Sequence, residues 1–208
     1  MSDYLVHFTK SGDVSAHDAM FGILATGQVQ ARNTFGCATG VNGLGVSQQC
    51  ACFSEIPLDM LDRLVARRSR FGIGFHQLNL IPKGAARVWY LDKDTATRTA
   101  MQAKITTAMS GGVDPHDPIW RLTPLVDFAA DNYHFEWERE WRIPGGLAFT
   151  PTEVAFLFVP EEQHAAARAF LADGGGGTGP AYVCPLLDPL WQDERIQDSL
   201  RWFPPPPS

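Results

Sequence analysis

A run of alternating glutamates constrains this chain more than any other sequence feature. Residues 134–143 read HFEWEREWRI. Glutamate occupies every second position at Glu136, Glu138 and Glu140, and an aromatic or basic side chain follows each of them. Alternation with a period of two predicts a β-strand that sends the glutamates to one face and Trp137, Arg139 and Trp141 to the other. Like charges along one face repel each other unless that face opens onto water or onto a ligand that uses the carboxylates. The stretch is therefore either a solvated edge strand or part of a functional site.

The length and composition of the chain are those of an ordinary globular protein. Of its 208 residues, 45% are hydrophobic and 19% are charged. We predict one domain over residues 1–208, with a core at about residues 4–185 and a proline-rich tail at residues 204–208. No apolar run is long enough to span a membrane and the N-terminus lacks the pattern of a signal peptide, so we expect a cytoplasmic protein with no membrane partner. The net charge of −6 argues against a broad electrostatic grip on a nucleic-acid backbone, but it leaves room for a local basic groove.

The cysteines predict neither a disulfide framework nor a metal site. Cys37, Cys50, Cys52 and Cys184 are too few and too irregularly spaced for a disulfide scaffold. Cys50 and Cys52 also lack the two-residue spacing of zinc-binding or redox pairs. We therefore interpret all four as buried thiols.

Strand and helix patterns are interspersed along the chain. Besides the glutamate strand, strands are predicted at residues 4–9, 50–53, 71–78, 86–91, 154–159 and 181–184. Helices are predicted at residues 15–26, 95–109, 122–130 and 192–200, and also after Pro57 and Pro160. Residues 28–49 lack periodicity and predict a long loop. This order, with no strict βαβ rhythm and no glycine motif of the Rossmann or P-loop type, predicts the α+β class.

Three short motifs follow one another along the chain: HFT at residues 7–9, CFSEIP at residues 52–57 and FEWEREWRI at residues 135–143. In this order they resemble the strands that line one cleft of the ADP-ribosyltransferase fold. Over about residues 4–145 the chain resembles the AbiGi-type family of abortive phage-infection proteins. It more distantly resembles the DarT-type transferases, which also open with a His-x-Thr strand and a helix that ends in glycine. The resemblance implies a split, mixed or antiparallel sheet with a central NAD cleft and flanking helices.

The resemblance also implies the chemistry of an NAD-dependent transferase. Breaking the bond between nicotinamide and ribose passes through an oxocarbenium-like cation, which a carboxylate beside the ribose stabilises. In transferases that carry Glu-x-Glu on a strand, the second glutamate stabilises this cation and the first deprotonates the acceptor. Carried over to this chain, these residues are Glu140 and Glu138. A shift of register would instead make Glu136 and Glu138 the catalytic pair.

Residues outside the glutamate strand receive NAD-binding roles from the same resemblance. His7 would hold the adenosine ribose, while Thr9 and backbone groups around Phe8 would help to seat the dinucleotide. Ser54 would lie behind the catalytic glutamate. Arg32 is either the cation that binds the pyrophosphate or a plain surface arginine.

The residue that stacks on nicotinamide is not fixed by the resemblance. The middle strand carries Phe53-Ser54-Glu55, where many members of the fold carry Ser-Thr-Ser or a tyrosine. Phe71 and Tyr90 are the two candidates for this role.

The activity that the resemblance implies is mono-ADP-ribosyl transfer from NAD to a macromolecular acceptor, either a nucleobase or a protein side chain. A toxin or phage-defence effector of this kind has a cognate antitoxin or toxin as a further expected partner. Two alternatives stay open. One is a catalytically inactive antitoxin or interaction module that keeps the fold, and the other is an NAD glycohydrolase that uses water as the acceptor.

Overall fold

The computed structural model describes residues 3–55, 61–129, 139–172 and 181–201, which fall into two compact units. The first unit comprises Met1–Gln28, Phe53–Pro82 and Ala148–Ser208, and the second comprises Val29–Cys52 and Lys83–Leu147. Both units contain helices and strands, so the predicted α+β class is confirmed. The single domain and the ADP-ribosyltransferase arrangement stay predictions, and the proline-rich tail lies outside the described residues.

The described residues contain short strands and helices in alternation. The strands are β1 Tyr4–Phe8, β2 Gln28–Val29, β3 Asn33–Thr34, β4 Gln49–Glu55, β5 Gly72–His76, β6 Ala86–Arg87, β7 Trp89–Leu91, β8 Val126–Phe128, β9 Glu140–Pro144, β10 Leu147–Ala148, β11 Val154–Phe158 and β12 Leu186–Leu187. The α-helices are α1 Ala16–Thr26, α2 Leu61–Arg67, α3 Gln77–Leu80, α4 Ala96–Met109, α5 Ile119–Leu122, α6 His164–Ala172 and α7 Asp193–Arg201. None of these helices combines the length and the apolar character that a membrane crossing requires.

The first unit is built on a mixed sheet in the order β12-β11-β5-β1-β4. Strand β1 is antiparallel to both β4 and β5, and β11 is antiparallel to β5 but parallel to β12. Gly74 on β5 has the phenyl ring of Phe156 against its backbone, where an added Cβ would come within 2.4 Å of a ring carbon. Gly74 therefore lets the Phe156 ring approach the strand backbone more closely than any side chain at this position would allow.

Helix α1 begins and ends where the sequence predicts. The Ser15 side chain accepts a hydrogen bond from the Asp18 N–H at the N-terminus, which satisfies one of the unpaired donors of the first turn. Gly27 ends the helix in the left-handed conformation with φ of 63°. A Cβ at Gly27 would also lie 2.7 Å from the Phe149 carbonyl oxygen, so only glycine fits here. The helix buries Met20 and Leu24.

The second unit contains the candidate site. Strand β9 is antiparallel to β6, with Arg142 opposite Ala86. Strands β7 and β8 form a separate parallel pair. A hydrophobic cluster, which includes Ala38, Leu44, Ile105 and Trp120, supports this unit. Strands β7 and β8 therefore lie in the same unit as Glu140, the first residue of β9.

Two secondary-structure predictions are wrong. The helix predicted over residues 122–130 does not form in the described residues after Leu122, because Thr123–Leu125 form a 3-10 turn that contains Pro124 and Val126–Phe128 pair as β8 with β7. Residues 181–184 are not a strand, since the last strand is Leu186–Leu187, which pairs with β11. The stretch 28–49, predicted as a loop, contains the short strands β2 and β3 and a 3-10 turn at Gly45–Gln48.

Candidate functional site

Glu140 is the only residue of the predicted glutamate face that lies in the described part of the chain. Glu136 and Glu138 fall at positions 130–138, which are outside it. Strand β9 begins at Glu140, and the preceding Arg139 has φ of 40°. Because a strand residue has a negative φ, the predicted alternation through Arg139 is wrong at this residue. A non-glycine residue in this conformation costs free energy, and such residues concentrate at functional sites.

The Glu140 carboxylate receives hydrogen bonds from three neighbouring side chains. Its Oε2 accepts from the Tyr90 hydroxyl at 2.5 Å and from Arg142 Nη2 at 3.2 Å. Its Oε1 accepts from Arg142 Nε at 2.9 Å. The Cys52 thiol is also hydrogen-bonded to this carboxylate. A carboxylate has about four acceptor positions, so these donors nearly saturate Glu140.

Arg142 connects this carboxylate to a second one. Two residues apart on β9, Arg142 and Glu140 leave the strand on the same face. The guanidinium also donates from Nη2 to Asp127 Oδ2 at 2.5 Å and from Nη1 to the Pro124 carbonyl oxygen at 2.8 Å. It lies over the Phe35 ring, with 4.7 Å between Cζ and the ring centroid. All three guanidinium nitrogens are therefore used, and the Arg142 side chain is only 2% exposed.

We name Cys52, Tyr90, Asp127, Glu140 and Arg142 the Arg142 cluster. Burial by itself would raise the pKa of Glu140. The hydrogen bonds and the charge of Arg142, together with the hydrogen bonds from Tyr90 and Cys52, have the opposite effect. They outweigh burial, so the pKa of Glu140 lies below its ordinary value of 4.5. Burial lowers the pKa of Arg142, and the bonds and charges of Glu140 and Asp127 more than reverse this effect. Glu140 and Arg142 are therefore both charged at neutral pH.

The cysteines of this unit do not supply a nucleophile. Burial raises the pKa of Cys37 and of Cys50 to about 11 in each case. Burial, together with the Glu140 charge, raises the pKa of Cys52 even more. A thiol must lose its proton before it attacks an electrophile, so these side chains are unreactive at neutral pH.

The first predicted motif, HFT, lies in the first unit at the end of β1. His7 is half-buried, with its ring centroid 5.6 Å from that of Phe53. Phe8 stacks on Phe158 at 5.9 Å. Thr9 is buried, and its hydroxyl donates to the Ala16 carbonyl oxygen at 2.7 Å, which ties β1 to the start of α1. These contacts are structural, and the NAD-binding roles of the three residues stay predictions.

Two further predicted residues of the first unit are also packed against its interior. Ser54 is buried on β4 and lies opposite Val6 of β1. Phe71 is half-buried, its carbonyl oxygen accepts from the Thr9 N–H at 3.1 Å, and its ring meets the edge of the His17 ring at 5.6 Å. The roles of Ser54 behind the catalytic glutamate and of Phe71 against nicotinamide stay predictions.

In the second unit the structure brings together two predicted residues and leaves a third apart. Tyr90 and Glu140 share the hydrogen bond described above, whereas Tyr90 was expected only as one of two candidates for stacking on nicotinamide. Arg32 is exposed, and its Nε donates to Gln30 Oε1 at 3.2 Å. Stacking by Tyr90 and pyrophosphate binding by Arg32 stay predictions.

Sequence reasoning missed Arg142 and Asp127. Arg142 carried a usable signal, because an arginine two residues from a glutamate in a strand lies on the same face as that glutamate. Asp127 carried none, because it lay inside a predicted helix. Comparison of the chain with family models, with curated proteins and with solved structures found no match.

The Arg142 cluster can hold a carboxylate ionised and oriented. The Glu140 side chain is 15% exposed, so part of it reaches the surface of its unit. A carboxylate of this kind can accept a hydrogen bond from a hydroxyl group and can stabilise a nearby positive charge. It is a poor general acid at neutral pH, because it is already deprotonated.

Proposed function

We propose that the chain is an NAD-dependent mono-ADP-ribosyltransferase that acts on a macromolecular target, with Glu140 as the carboxylate that stabilises the ribosyl cation. The observation that carries the proposal is the Glu140 carboxylate, which three side chains hold ionised at the first residue of β9. NAD as the donor follows from the resemblance of the three sequence motifs. A role as toxin or phage-defence effector follows from the same resemblance.

The charge of Glu140 supports this chemistry. As the bond between nicotinamide and ribose breaks, positive charge develops on the ribose, and a fixed carboxylate stabilises that charge without having to reorganise. The low pKa of Glu140 keeps it ionised for this purpose. Protonated Glu140 would lose this electrostatic contribution to the transition state.

A ribose hydroxyl needs an acceptor position on Glu140, and the cluster contains one donor that can give way. Thiols are weak hydrogen-bond donors, whereas the arginine and tyrosine donors are strong. The Cys52 thiol is therefore the donor that a ribose hydroxyl replaces most easily. Arg142 and Tyr90 keep the carboxylate in place during this exchange.

Activation of the acceptor is proposed for Glu138. A glutamate that faces the acceptor removes its proton, so its loss suppresses transfer more than it suppresses hydrolysis of NAD by water. In the alternative register, Glu136 and Glu138 form the catalytic pair and Glu140 does not act on the ribose. The two registers make different predictions for Glu138→Gln and Glu140→Gln.

A second candidate function is a catalytically inactive antitoxin or interaction module. It is favoured by the near-saturation of Glu140, because a carboxylate that already accepts from Arg142, Tyr90 and Cys52 serves the stability of its unit without any ligand. In this alternative the cluster is a buried ion pair that holds β9 next to β7 and β8. Such a protein has no NAD-cleaving activity.

The experiment is to incubate the purified protein with NAD that carries a label in its adenosine part, in the presence of separate protein, DNA and RNA pools. Label bound covalently to one pool supports the transferase and identifies the class of its acceptor. Label found only in free ADP-ribose supports the glycohydrolase. Intact NAD in every pool, together with no calorimetric binding at millimolar NAD, would support the interaction module.

A further inference from the structure

The parallel pair β7 and β8 places two side chains of the Arg142 cluster next to each other. Tyr90 on β7 is the register partner of Asp127 on β8. Tyr90 donates to Glu140, and Asp127 accepts from Arg142. Adjacent residues of one short sheet therefore act on the two ends of the same ion pair.

Tyr90 acts on Glu140 directly. Its hydroxyl donates to Oε2 at 2.5 Å, and a hydrogen bond to an ionised acceptor is about twice as strong as one between neutral groups. The bond exists with full strength only when Glu140 is ionised. Tyr90 therefore favours the charged form of Glu140.

Asp127 acts on Glu140 through Arg142. Its carboxylate accepts from the same Nη2 that donates to Glu140 Oε2, so it shares the positive charge of Arg142 with Glu140. Removing the negative charge of Asp127 would leave Glu140 as the only carboxylate of the cluster that Arg142 neutralises, so Arg142 would stabilise ionised Glu140 more strongly. Asp127 therefore makes the charged form of Glu140 less favourable, which is opposite to the effect of Tyr90.

Other ionisable groups also face Glu140 in the described residues of this unit. They are Cys52, which is hydrogen-bonded to it, and Cys50, both on β4, with Arg142 on β9 itself. The two thiols are neutral in acidic and neutral solution, because burial raises the pKa of each. The charged neighbours of Glu140 are therefore Arg142, which is bonded to it directly, and Asp127, which is bonded to Arg142.

We infer that Tyr90 and Asp127 are positioning residues of the proposed reaction, which bias the charge state of Glu140 in opposite directions. The inference rests on the proposed function, since it assigns these residues to the transfer step. A structural role alone predicts a different pattern, because two variants that merely loosen the unit would both weaken the hold of Arg142 on Glu140. Opposite effects of the Tyr90 and Asp127 variants on the ionisation of Glu140 therefore indicate positioning residues, whereas effects of the same sign indicate a purely structural role.

The test uses Tyr90→Phe and Asp127→Asn in the full chain. Phenylalanine removes only the hydroxyl, and asparagine keeps an oxygen that can accept from Arg142 while it removes the charge. In the pH profile of NAD cleavage, activity falls at low pH as Glu140 is protonated. Tyr90→Phe should move this acidic limb upward by about one pH unit, and Asp127→Asn should move it downward. Glu162→Gln, which changes an exposed partner of Arg70 in the first unit, should leave the limb unchanged.

A second measurement separates failure of the inference from failure of the proposed function. Titration of ¹³C-labelled glutamate carboxyls by NMR, with Glu140 assigned by comparison with Glu140→Gln, reports the charge of Glu140 without any turnover. Opposite shifts in the two variants support the inference, and shifts of the same sign, or none, overturn it. Opposite shifts in a protein that does not cleave NAD would overturn the proposed function, and with it the role of the two residues in the transfer step, while confirming their effect on the charge of Glu140.

Discussion

Two arginine-centred clusters, one in each unit, differ in how deeply they hold their charges. The Arg142 cluster surrounds a guanidinium that is 2% exposed and that uses all three of its nitrogens. In the first unit, Arg70, Glu162 and Asp188 form what we name the Arg70 cluster. There Arg70 is 31% exposed and Glu162 is 63% exposed. The arginine is therefore buried in one cluster and partly hydrated in the other, whereas each cluster has one well-buried carboxylate, Glu140 or Asp188, and one more exposed carboxylate, Asp127 or Glu162.

Hydrogen bonding is also less complete in the Arg70 cluster than in the Arg142 cluster. Asp188 is well satisfied, because it accepts from Arg70 Nη2 at 2.6 Å and from the backbone N–H groups of Glu161 and Leu190. Glu162 accepts from Arg70, at 3.1 and 3.4 Å. Within the described residues no acceptor reaches the buried Nε of Arg70. An arginine between two carboxylates is therefore not by itself a functional site. In the Arg142 cluster it is the buried guanidinium, with all three nitrogens donating, that fixes the direction of the Glu140 carboxylate.

The largest expected difference between the clusters is in stability. Arg142→Met leaves Glu140 and Asp127 without their shared cation, and breaking a buried pair in this way typically costs about 3–5 kcal/mol. Arg70→Met should cost clearly less, because water reaches Glu162 and backbone donors still satisfy Asp188. Chemical denaturation of the two variants measures both losses. Equal losses in the free energy of unfolding would show that the deeper burial of Arg142 does not make its cluster more important for stability than the Arg70 cluster.

The parts of the fold that the sequence predicts are those that depend on local chemistry. Helix α1 follows from its Ser15 cap and its terminal Gly27, and β1 follows from a short run of aromatic and β-branched residues. Strand β8 was missed because Val126–Phe128 becomes a strand by pairing with β7, a contact between residues far apart in sequence.

The candidate site was predictable only in part, for the same reason. Glu140 stands out because its strand alternates charge with aromatic residues, and Arg142 could have been placed on its face by the same alternation. Asp127 comes to Arg142 only through the tertiary pairing of β8. The hydroxyl of Tyr90 likewise reaches Glu140 across strands, so this contact could not be predicted from the sequence, which offered Tyr90 only as a candidate for stacking on nicotinamide.

A second difference between the clusters is expected at low pH. The folded pKa of Glu140 lies below its ordinary value of 4.5, so as the pH falls the unfolded chain binds this proton first. The stabilisation from Glu140 is therefore complete above that value and is lost as the pH falls through the folded pKa, by up to about 1.4 kcal/mol per pH unit. The free energy of unfolding, measured between about pH 6 and about pH 3, should show this loss in the wild type and in Glu162→Gln. Glu140→Gln should lack that component, and an unchanged acid dependence in Glu140→Gln would contradict the assignment.

The smallest expected effect is the coupling between Arg70 and Glu162. Exposed ion pairs typically contribute about 0.2–1 kcal/mol and weaken in salt. A double-mutant cycle with Arg70→Met and Glu162→Gln should give a coupling in this range that decreases at high salt. The matched cycle with Arg142→Met and Glu140→Gln should give a larger coupling that changes little with salt. A large, salt-independent coupling in the Arg70 cluster would remove the contrast between the two.

The most direct test of the central claim is the rate of NAD cleavage by Glu140→Gln, measured beside NAD affinity on the same preparation. Glutamine keeps the size of the side chain and an oxygen that accepts hydrogen bonds, but it removes the charge that stabilises the ribosyl cation. We expect the rate per folded molecule to fall by about 100-fold to 1,000-fold while NAD affinity changes little. Because the variant loses the charged pair with Arg142, its folded fraction is measured on the same preparation and used to normalise the rate. Glu162→Gln should keep the wild-type rate. A wild-type rate in Glu140→Gln, with the variant folded and NAD bound, would contradict the claim that Glu140 is the catalytic carboxylate.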